Sequence, residues 1–439
     1  MKTIIMAGGK GTRISSIADD IPKPMISICG KPILEHQIDC LKKNGLTDII
    51  ITIGYLGQFI TDYFGDGSLF GCSITYYNEK EPLGTGGALY KLYKMENISC
   101  DFILLNGDII FDIDFSRMID FHRQKKAWVS LAAHPNNHPF DSAIIMSNSD
   151  NQVVGWINKE DTRTIYKNQV NAGIHIISPE LIENCPQTKE KIDLDRDMLK
   201  PMVKTGRIFS YQTPEYITDM GTPERYAQVT SDIKKGIVSK KNLSTKQKCI
   251  FLDRDGTINV FKEFISNPDD FVLIDGVAEA IKKINSFGFL AIVITNQPVI
   301  ARGELDIKEL AIIHMKMETD LGKNGAYIDD LFYCPHHPDK GFPGERLEYK
   351  IDCDCRKPKP GMIQKAAEKY NIDLAQSYMV GDDIRDVKAG IASGCIPVLL
   401  KEKTKTVELP EEFKNVLTFS SLAEFVESHL NIKSQHKLP

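Results

Sequence analysis

The sequence predicts an α/β protein built from two doubly wound domains, and three observations carry that prediction. Short apolar runs rich in Ile, Val and Leu alternate with segments whose apolar residues recur at helical spacing, over residues 3–105 and again over 249–400. Many of these runs end in a turn bearing Gly, Asp or Asn, which is where an open parallel sheet keeps its ligands. Between the two series, residues 236–248 are polar, basic and without apolar periodicity, and read as a linker. The expected organisation is a first domain over 1–235, this linker, a second domain over 249–432 and a tail over 433–439.

Composition agrees with that plan. A chain of 439 residues with 42% hydrophobic and 26% charged residues has ample core for several domains. A net charge of -5 gives no electrostatic case for nucleic acid or a membrane surface as partner. The start, M-K-T-I-I-M-A-G-G, has too short an apolar core for a signal peptide, and no apolar run approaches the roughly 18 residues that a membrane helix needs. Cysteines outside one cluster are scattered singly, as in a reducing compartment. The expectation is a cytoplasmic protein acting on small molecules, with no nucleic acid or membrane partner and with oligomerisation open.

In chain order, residues 3–6 form a buried strand that enters A-G-G-K-G-T-R at 7–13. Backbone N–H groups in such a glycine-rich loop can approach phosphates closely, although glycine turns also follow strands for purely geometric reasons. Arg13 and Lys23, in P-K-P-M, place two cations beside the loop. Residues 32–44 carry Ile33, Leu34, Ile38 and Leu41 at helical spacing, with Gly45 where a C-terminal cap belongs. Residues 48–54 are a β-branched run suited to a strand covered on both faces. Alternation continues through 58–64, 73–77, 88–93 and 102–105. Polar signals follow at E-K-E-P-L-G-T-G-G (79–87), N-G-D (106–108) and Asp219. Two convergent carboxylates near a phosphate loop suggest Mg²⁺, though an Asp taken singly is as readily a cap or turn former.

Taken in order, A-G-G-x-G-T-R, P-K-P-M, E-P-L-G-T-G-G and N-G-D resemble the motifs of the sugar-1-phosphate nucleotidyltransferases, from residue 1 to about 231. The resemblance implies that Gly8, Gly9, Gly11, Thr12, Arg13, Lys23, Glu79, Gly84 and Asp108 bind the nucleotide, and that Arg13 and Lys23 assist catalysis. It further implies that Asp108 and Asp219 hold Mg²⁺, that Lys159 meets the sugar phosphate, and that Asn171 and Gly173 line the sugar pocket. Asn158 departs from the family's usual Glu. The implied reaction is attack by a sugar-1-phosphate oxygen on the α-phosphorus of a nucleoside triphosphate, with loss of pyrophosphate. A carboxylate at Glu79 only accepts hydrogen bonds, which suits guanine's adjacent N–H donors, so GTP is favoured.

Past the linker, residues 249–252 form a strand ending in Asp253-Arg-Asp-Gly-Thr. Two aspartates one residue apart can serve as nucleophile and general acid/base, and Asp-Gly alone is also a turn signal. Further strands at 289–294 and 378–380 end in Thr295-Asn-Gln and Gly381-Asp-Asp, with helices at 277–287 and 306–321 between them. A hydroxyl, Lys357 and Asp382 complete equipment for phosphoryl transfer with Mg²⁺. Between these, C-P-H-H-P and C-D-C supply Cys334, Cys353, Cys355 and a nitrogen from His336 or His337, the set for a closed, structural tetrahedral Zn²⁺. Arg356 and Lys357 follow directly, held by that knot.

D-x-D-G-T, T-N, K and G-D-D resemble the haloacid dehalogenase superfamily, so that both domains are expected to be Rossmann-like. With the cysteine loop, T-N-Q-x-x-I-A-R-G and C-R-K-P-K-P-G-M, residues from about 248 to 400 are similar to the D-glycero-D-manno-heptose 1,7-bisphosphate 7-phosphatases. The resemblance implies Asp253 as nucleophile, Asp255 as acid and base, and Thr295 and Lys357 on the phosphoryl oxygens. It implies Mg²⁺ at Asp253, Asp255 (through its carbonyl) and Asp382, and Zn²⁺ with His336 as the nitrogen ligand. Asn296, Arg302 and Arg356 fall to the substrate, the two arginines to its second phosphate. Departures are Pro298-Val299 and Asp383, an added carboxylate beside the metal site. Removal of the 7-phosphate leaves heptose 1-phosphate, which the first domain's kind of reaction would activate. Histidinol-phosphate phosphatases share the cysteine loop, so such a phosphatase joined to a hexose-1-phosphate transferase is one alternative. A silent, sugar-nucleotide-binding regulatory half is another.

Overall fold

In the first half, successive apolar residues of one strand feed two different cores. Ile5, Ile49, Ile51, Ile103 and Leu105 pack on one side of a sheet and Ile4, Ile50, Phe102 and Leu104 on the other. This is why these strands read as continuous apolar runs rather than alternating ones. The computed structural model describes residues 1–9, 20–185, 189, 191–401 and 410–430. They form two compact units: unit 1 is 1–134, 142–159 and 169–242, and unit 2 is 135–141, 160–168 and 243–439.

In unit 1 the strand Thr3–Met6 pairs in parallel with Asp48–Ile53 on one side and Phe102–Asn106 on the other, and Asp48–Ile53 pairs in parallel with Ser73–Asn78. The chain order across this part is therefore third, second, first, fourth, and the direction of winding reverses between Thr3–Met6 and Phe102–Asn106. Beyond Phe102–Asn106 the sheet turns antiparallel through Val170–Ile177, which pairs with Val129–His134 and touches Ile144–Ser147. Helix Gly84–Met95 begins inside the G-T-G-G motif. Two of the free donors of its first turn, the N–H groups of Gly86 and Gly87, are taken by the Ile192 carbonyl at 2.9 and 3.3 Å.

Unit 2 holds a six-stranded, all-parallel sheet ordered Asp330–Cys334, Leu290–Asn296, Cys249–Leu252, Tyr378–Gly381, Ile396–Leu400, Leu417–Phe419. That is the doubly wound order 3-2-1-4-5-6, with its switch point between Cys249–Leu252 and Tyr378–Gly381. Helix Ile307–Lys323 starts at a capping box of Asp306 and Glu309, and Ile384–Ser393 at one of Asp383 and Asp386.

The stretch read as linker is ordered differently. Ile237–Lys240 is a helical turn, Ile237 is buried beside Ile26 and Ile110, and Asn242 donates to Asp112 at 2.7 Å, all within unit 1. Two short loops of the expected first domain group with unit 2, where Asn168 N–H donates to Glu318 at 2.8 Å and Tyr166 N–H to Thr319 at 2.9 Å. The tail at 433–439 lies outside the described residues. No helix among the described residues is long and apolar enough to cross a membrane.

Candidate active sites

A cavity of about 890 Å³ opens at the winding reversal of unit 1, and Gly8, Gly9, Lys23, Glu79, Gly84 and Asp108 all line it. The site is local in origin: Gly8 and Gly9 leave the first strand, and Gly107 and Asp108 leave the fourth. A Cβ on Gly8 would stand 2.9 Å from Glu79 Oε2, so the missing side chain is what lets the loop lie against that carboxylate. Burial holds the Glu79 carboxyl above its ordinary pKa, partly opposed by Lys91. Lys23 Nζ donates to Asp108 Oδ2 at 2.6 Å.

Gly11, Thr12 and Arg13 lie outside the described residues. Asp219 comes close through its backbone, since Met220 N–H donates to the Asp108 carbonyl at 2.8 Å, but its carboxylate is held by Arg225 Nη1 at 2.6 Å to both oxygens. Each expected metal carboxylate of unit 1 is thus engaged by a cation. Asn171 donates to Asp195 at 3.1 Å and accepts from the Gly173 N–H at 3.2 Å. Gly173 has φ +72°, and a Cβ there would collide with the Asn106 side chain. Lys159 is exposed on its loop. Asp195, unnoticed in the sequence, is pushed up to about 7, first by burial and then by Asp193.

Unit 2 gathers its expected residues more completely. Asp253, Asp255, Thr295, Asn296, Arg302, Arg356, Lys357 and Asp382 all line one cavity of about 460 Å³ at the switch point. Lys357, 3% exposed, bridges Asp253 Oδ1 at 2.7 Å and Asp386 Oδ1 at 2.6 Å. Asn296 orients it: the Asn296 amide donates to the Lys357 carbonyl and accepts from the Lys357 N–H, each at 3.0 Å. Gly256 has φ +82°, and its missing Cβ leaves room for the Asp382 carboxylate.

Asp253, Asp382 and Asp386 bring oxygens within 4.8 Å of one another, a set that could hold a metal ion. Burial, then the Asp386 charge, pushes Asp253 well up, and burial, then Asp253, raises Asp382 to about 7. Burial works against the Lys357 charge, but Asp253 and Asp386 overcome it and hold the ammonium above its ordinary value. Three crowded carboxylates with one buried ammonium leave excess negative charge, which fits a hard divalent cation. The side chain joining Asp253 and Asp382 is therefore Asp386. The Asp255 carboxylate turns elsewhere, accepting from Arg254 Nη2 at 2.8 Å, Gln297 at 2.8 Å and Asn259 at 3.1 Å. Asp386 had a sequence signal, the D-x-x-D of a capping box, which reads as helix start rather than site. The added carboxylate Asp383 caps that helix and pairs with Arg385 at 2.9 Å, which offsets its charge.

Cys334, His336, Cys353 and Cys355 form a second cluster that could hold a metal. Sγ–Sγ distances are 3.5 and 3.2 Å and Sγ–Nδ1 distances 3.7 and 3.4 Å. A tetrahedron with Zn–S near 2.3 Å and Zn–N near 2.0 Å has edges of roughly 3.5–3.8 Å, so the donor set fits Zn²⁺ with small relaxation. His336, not His337, is the nitrogen in this cluster.

Residues 2–236 match the nucleotidyl transferase family and residues 354–425 the HAD-hydrolase-like family. The second half is similar to D-glycero-β-D-manno-heptose-1,7-bisphosphate 7-phosphatase of Haemophilus ducreyi, 39% identical over 181 residues, 41% of this chain and 97% of that protein. The first half is similar to mannose-1-phosphate guanylyltransferase of Mycobacterium tuberculosis, 31% identical over 238 residues, 53% of this chain and 65% of that protein. Among solved structures, HddC from Yersinia pseudotuberculosis complexed with GMP-PN is 29% identical with a TM-score of 0.46, covering 53% of this chain and 99% of that one.

Proposed function

The chain belongs to the nucleotidyl transferase family through residues 2–236 and to the haloacid-dehalogenase-like phosphatases through its second half, and from that premise we propose a bifunctional enzyme of activated-heptose synthesis. It removes the 7-phosphate of D-glycero-D-manno-heptose 1,7-bisphosphate and then transfers a nucleotidyl group, GMP by preference, to the resulting heptose 1-phosphate. The observation that carries this reading is the single cavity that holds Asp253, Lys357, Asp382 and Asp386 together with two further cations, Arg302 and Arg356, enough for two phosphates on one substrate.

In the first step an Asp253 oxygen attacks phosphorus, the bond to the sugar oxygen breaks, and Asp255 gives that oxygen its proton. Asp255 then takes a proton from water as it attacks the aspartyl phosphate, which releases phosphate and regenerates Asp253. Lys357 and Thr295 steady the phosphoryl oxygens, and Asp253, the Asp255 carbonyl, Asp382 and Asp386 would hold Mg²⁺. When bound, Mg²⁺ neutralises charge on the phosphoryl group. The Cys334, His336, Cys353 and Cys355 cluster would hold a structural Zn²⁺ that fixes Arg356, whose Nη1 donates to the His336 carbonyl at 3.1 Å.

In the second step a heptose 1-phosphate oxygen attacks the α-phosphorus of GTP and pyrophosphate leaves. Lys23 would neutralise the phosphates, Gly8, Gly9 and Gly84 would meet the nucleotide and Glu79 would read guanine, a reading supported by the one cavity they share, and Asp108 and Asp219 would offer a second Mg²⁺ site once their cations yield. Lys159 would meet the sugar phosphate beside Asn171 and Gly173.

The test is release of phosphate and pyrophosphate by the purified chain with Mg²⁺, given each anomer of the heptose bisphosphate and GTP or ATP. Phosphate release followed by GTP-dependent pyrophosphate release is expected on one anomer. Phosphate release with no pyrophosphate from any nucleoside triphosphate would overturn the transferase substrate.

A further inference from the structure

His337 stands outside the cysteine cluster, and neither proposed reaction uses it. Yet it lines the same cavity as Asp253 and Lys357, with a side chain 15% exposed. The ring Nδ1 accepts the backbone N–H of Asp339 at 3.2 Å, and the backbone N–H of His337 donates to the Tyr349 carbonyl at 3.1 Å. The Asp339 carbonyl in turn accepts from Lys350 Nζ at 2.8 Å, which ties the short segment at both ends. A ring nitrogen that accepts a hydrogen bond carries no proton, so the neutral ring presents N–H at Nε2. Among the described residues nothing bonds to that Nε2.

Two cations share this wall and are themselves fixed. The Arg302 guanidinium lies 4.3 Å from the Phe264 ring centroid, and Arg356 is tethered to the His336 carbonyl at 3.1 Å. Two guanidinium groups can balance a phosphate dianion. A neutral donor beside them adds direction without a third charge to desolvate. We propose that His337, through Nε2–H, donates a hydrogen bond to an oxygen of the substrate's second phosphate and so completes, with Arg302 and Arg356, the subsite that selects a bisphosphate over a monophosphate. The proposal rests on the phosphatase reading above, and it deepens that reading by naming a specificity residue.

The test compares full-length wild type, His337→Ala and His337→Gln on heptose 1,7-bisphosphate and heptose 7-phosphate with Mg²⁺, with zinc content measured for each protein. In His337→Ala the preference for the bisphosphate, as a ratio of kcat/KM values, should fall about tenfold, mainly through KM. His337→Gln, whose amide nitrogen also donates, should recover most of it, and zinc content should match wild type. An equal loss on both substrates, or a loss of zinc, would assign His337 to the architecture of the loop and overturn the proposal. An unaltered preference would overturn it as well. A wild-type chain indifferent to the second phosphate would overturn both this subsite and the bisphosphate reading, whereas failure confined to the variants overturns the subsite alone.

Discussion

Replacing Lys357 by Met should destabilise unit 2 in a way that depends on pH and on Mg²⁺. The ammonium is buried between Asp253 at 2.7 Å and Asp386 at 2.6 Å, with Asp382 in the same cluster. Removing one partner of a buried ion pair costs about 3–5 kcal/mol, because the remaining charge keeps its desolvation penalty. At about 2–4 °C per kcal/mol for a unit of this size, melting near pH 8 should fall by roughly 6–20 °C. The carboxylates can escape by taking up protons. Their folded pKa values stand above the unfolded value, as for Asp382 at about 7, so between those values the native state binds more protons and stability falls as pH rises. Lys357 lowers Asp253, Asp382 and Asp386, so without it the variant binds more protons than wild type as pH falls, and at about 1.4 kcal/mol per extra proton per pH unit the penalty should shrink by roughly 1–3 kcal/mol near pH 6. Millimolar Mg²⁺ should relieve it at pH 8 by the same charge argument. Both tryptophans, Trp128 and Trp156, lie in unit 1, so unit 2 must be followed by calorimetry rather than by tryptophan fluorescence. Phosphate release should drop by at least about 10³-fold while GTP-dependent pyrophosphate release from heptose 1-phosphate stays within about twofold. A melting shift of the same size at both pH values, with no rescue by Mg²⁺, would refute the charge-balance reasoning and leave packing as the cause.

Cys353→Ser should lower zinc below one per chain by metal analysis and raise KM for the bisphosphate, because Arg356 loses its anchored neighbour, while transferase activity is unchanged. Glu79→Gln should reduce kcat/KM for GTP by about 10–100-fold and narrow its advantage over UTP, measured by competing the two triphosphates, since the amide cannot accept from both guanine donors. His175 is fully buried and held near 4 by that burial, so unit 1 should lose up to about 3 kcal/mol as pH falls from 6.5 towards 4, where the unfolded chain binds a proton that the native chain refuses. Urea unfolding followed by tryptophan fluorescence should show a shallower acid slope in His175→Leu, and an unchanged slope would exclude this residue as its source.

Asp253, Thr295, Lys357, Asp382, Gly8 and Asp108 were legible because each sits within a few residues of an apolar strand's end or a proline-fixed turn, so local spacing delivers the residue to the switch point. Strands such as Val129–His134, Ile144–Ser147 and Val170–Ile177 were not read, since strand preference depends on the neighbours a segment packs against, and those come from distant parts of the chain. Asp386 wears the local signature of a helix cap and becomes part of the carboxylate cluster only because the sheet order sets Tyr378–Gly381 beside Cys249–Leu252. Asp219 looked like a free metal ligand in one dimension and finds Arg225, six residues on, in three. His336 and His337 are adjacent and chemically identical, so sequence alone could not choose between them. The backbone sends one ring to the sulfurs and sets the other in the cavity wall, where it accepts the Asp339 N–H. What the sequence determined by itself is the chemistry at the ends of strands, where backbone geometry is local; which side chains share a charge, a metal or a substrate was decided by tertiary packing, because those energies depend on distance in space.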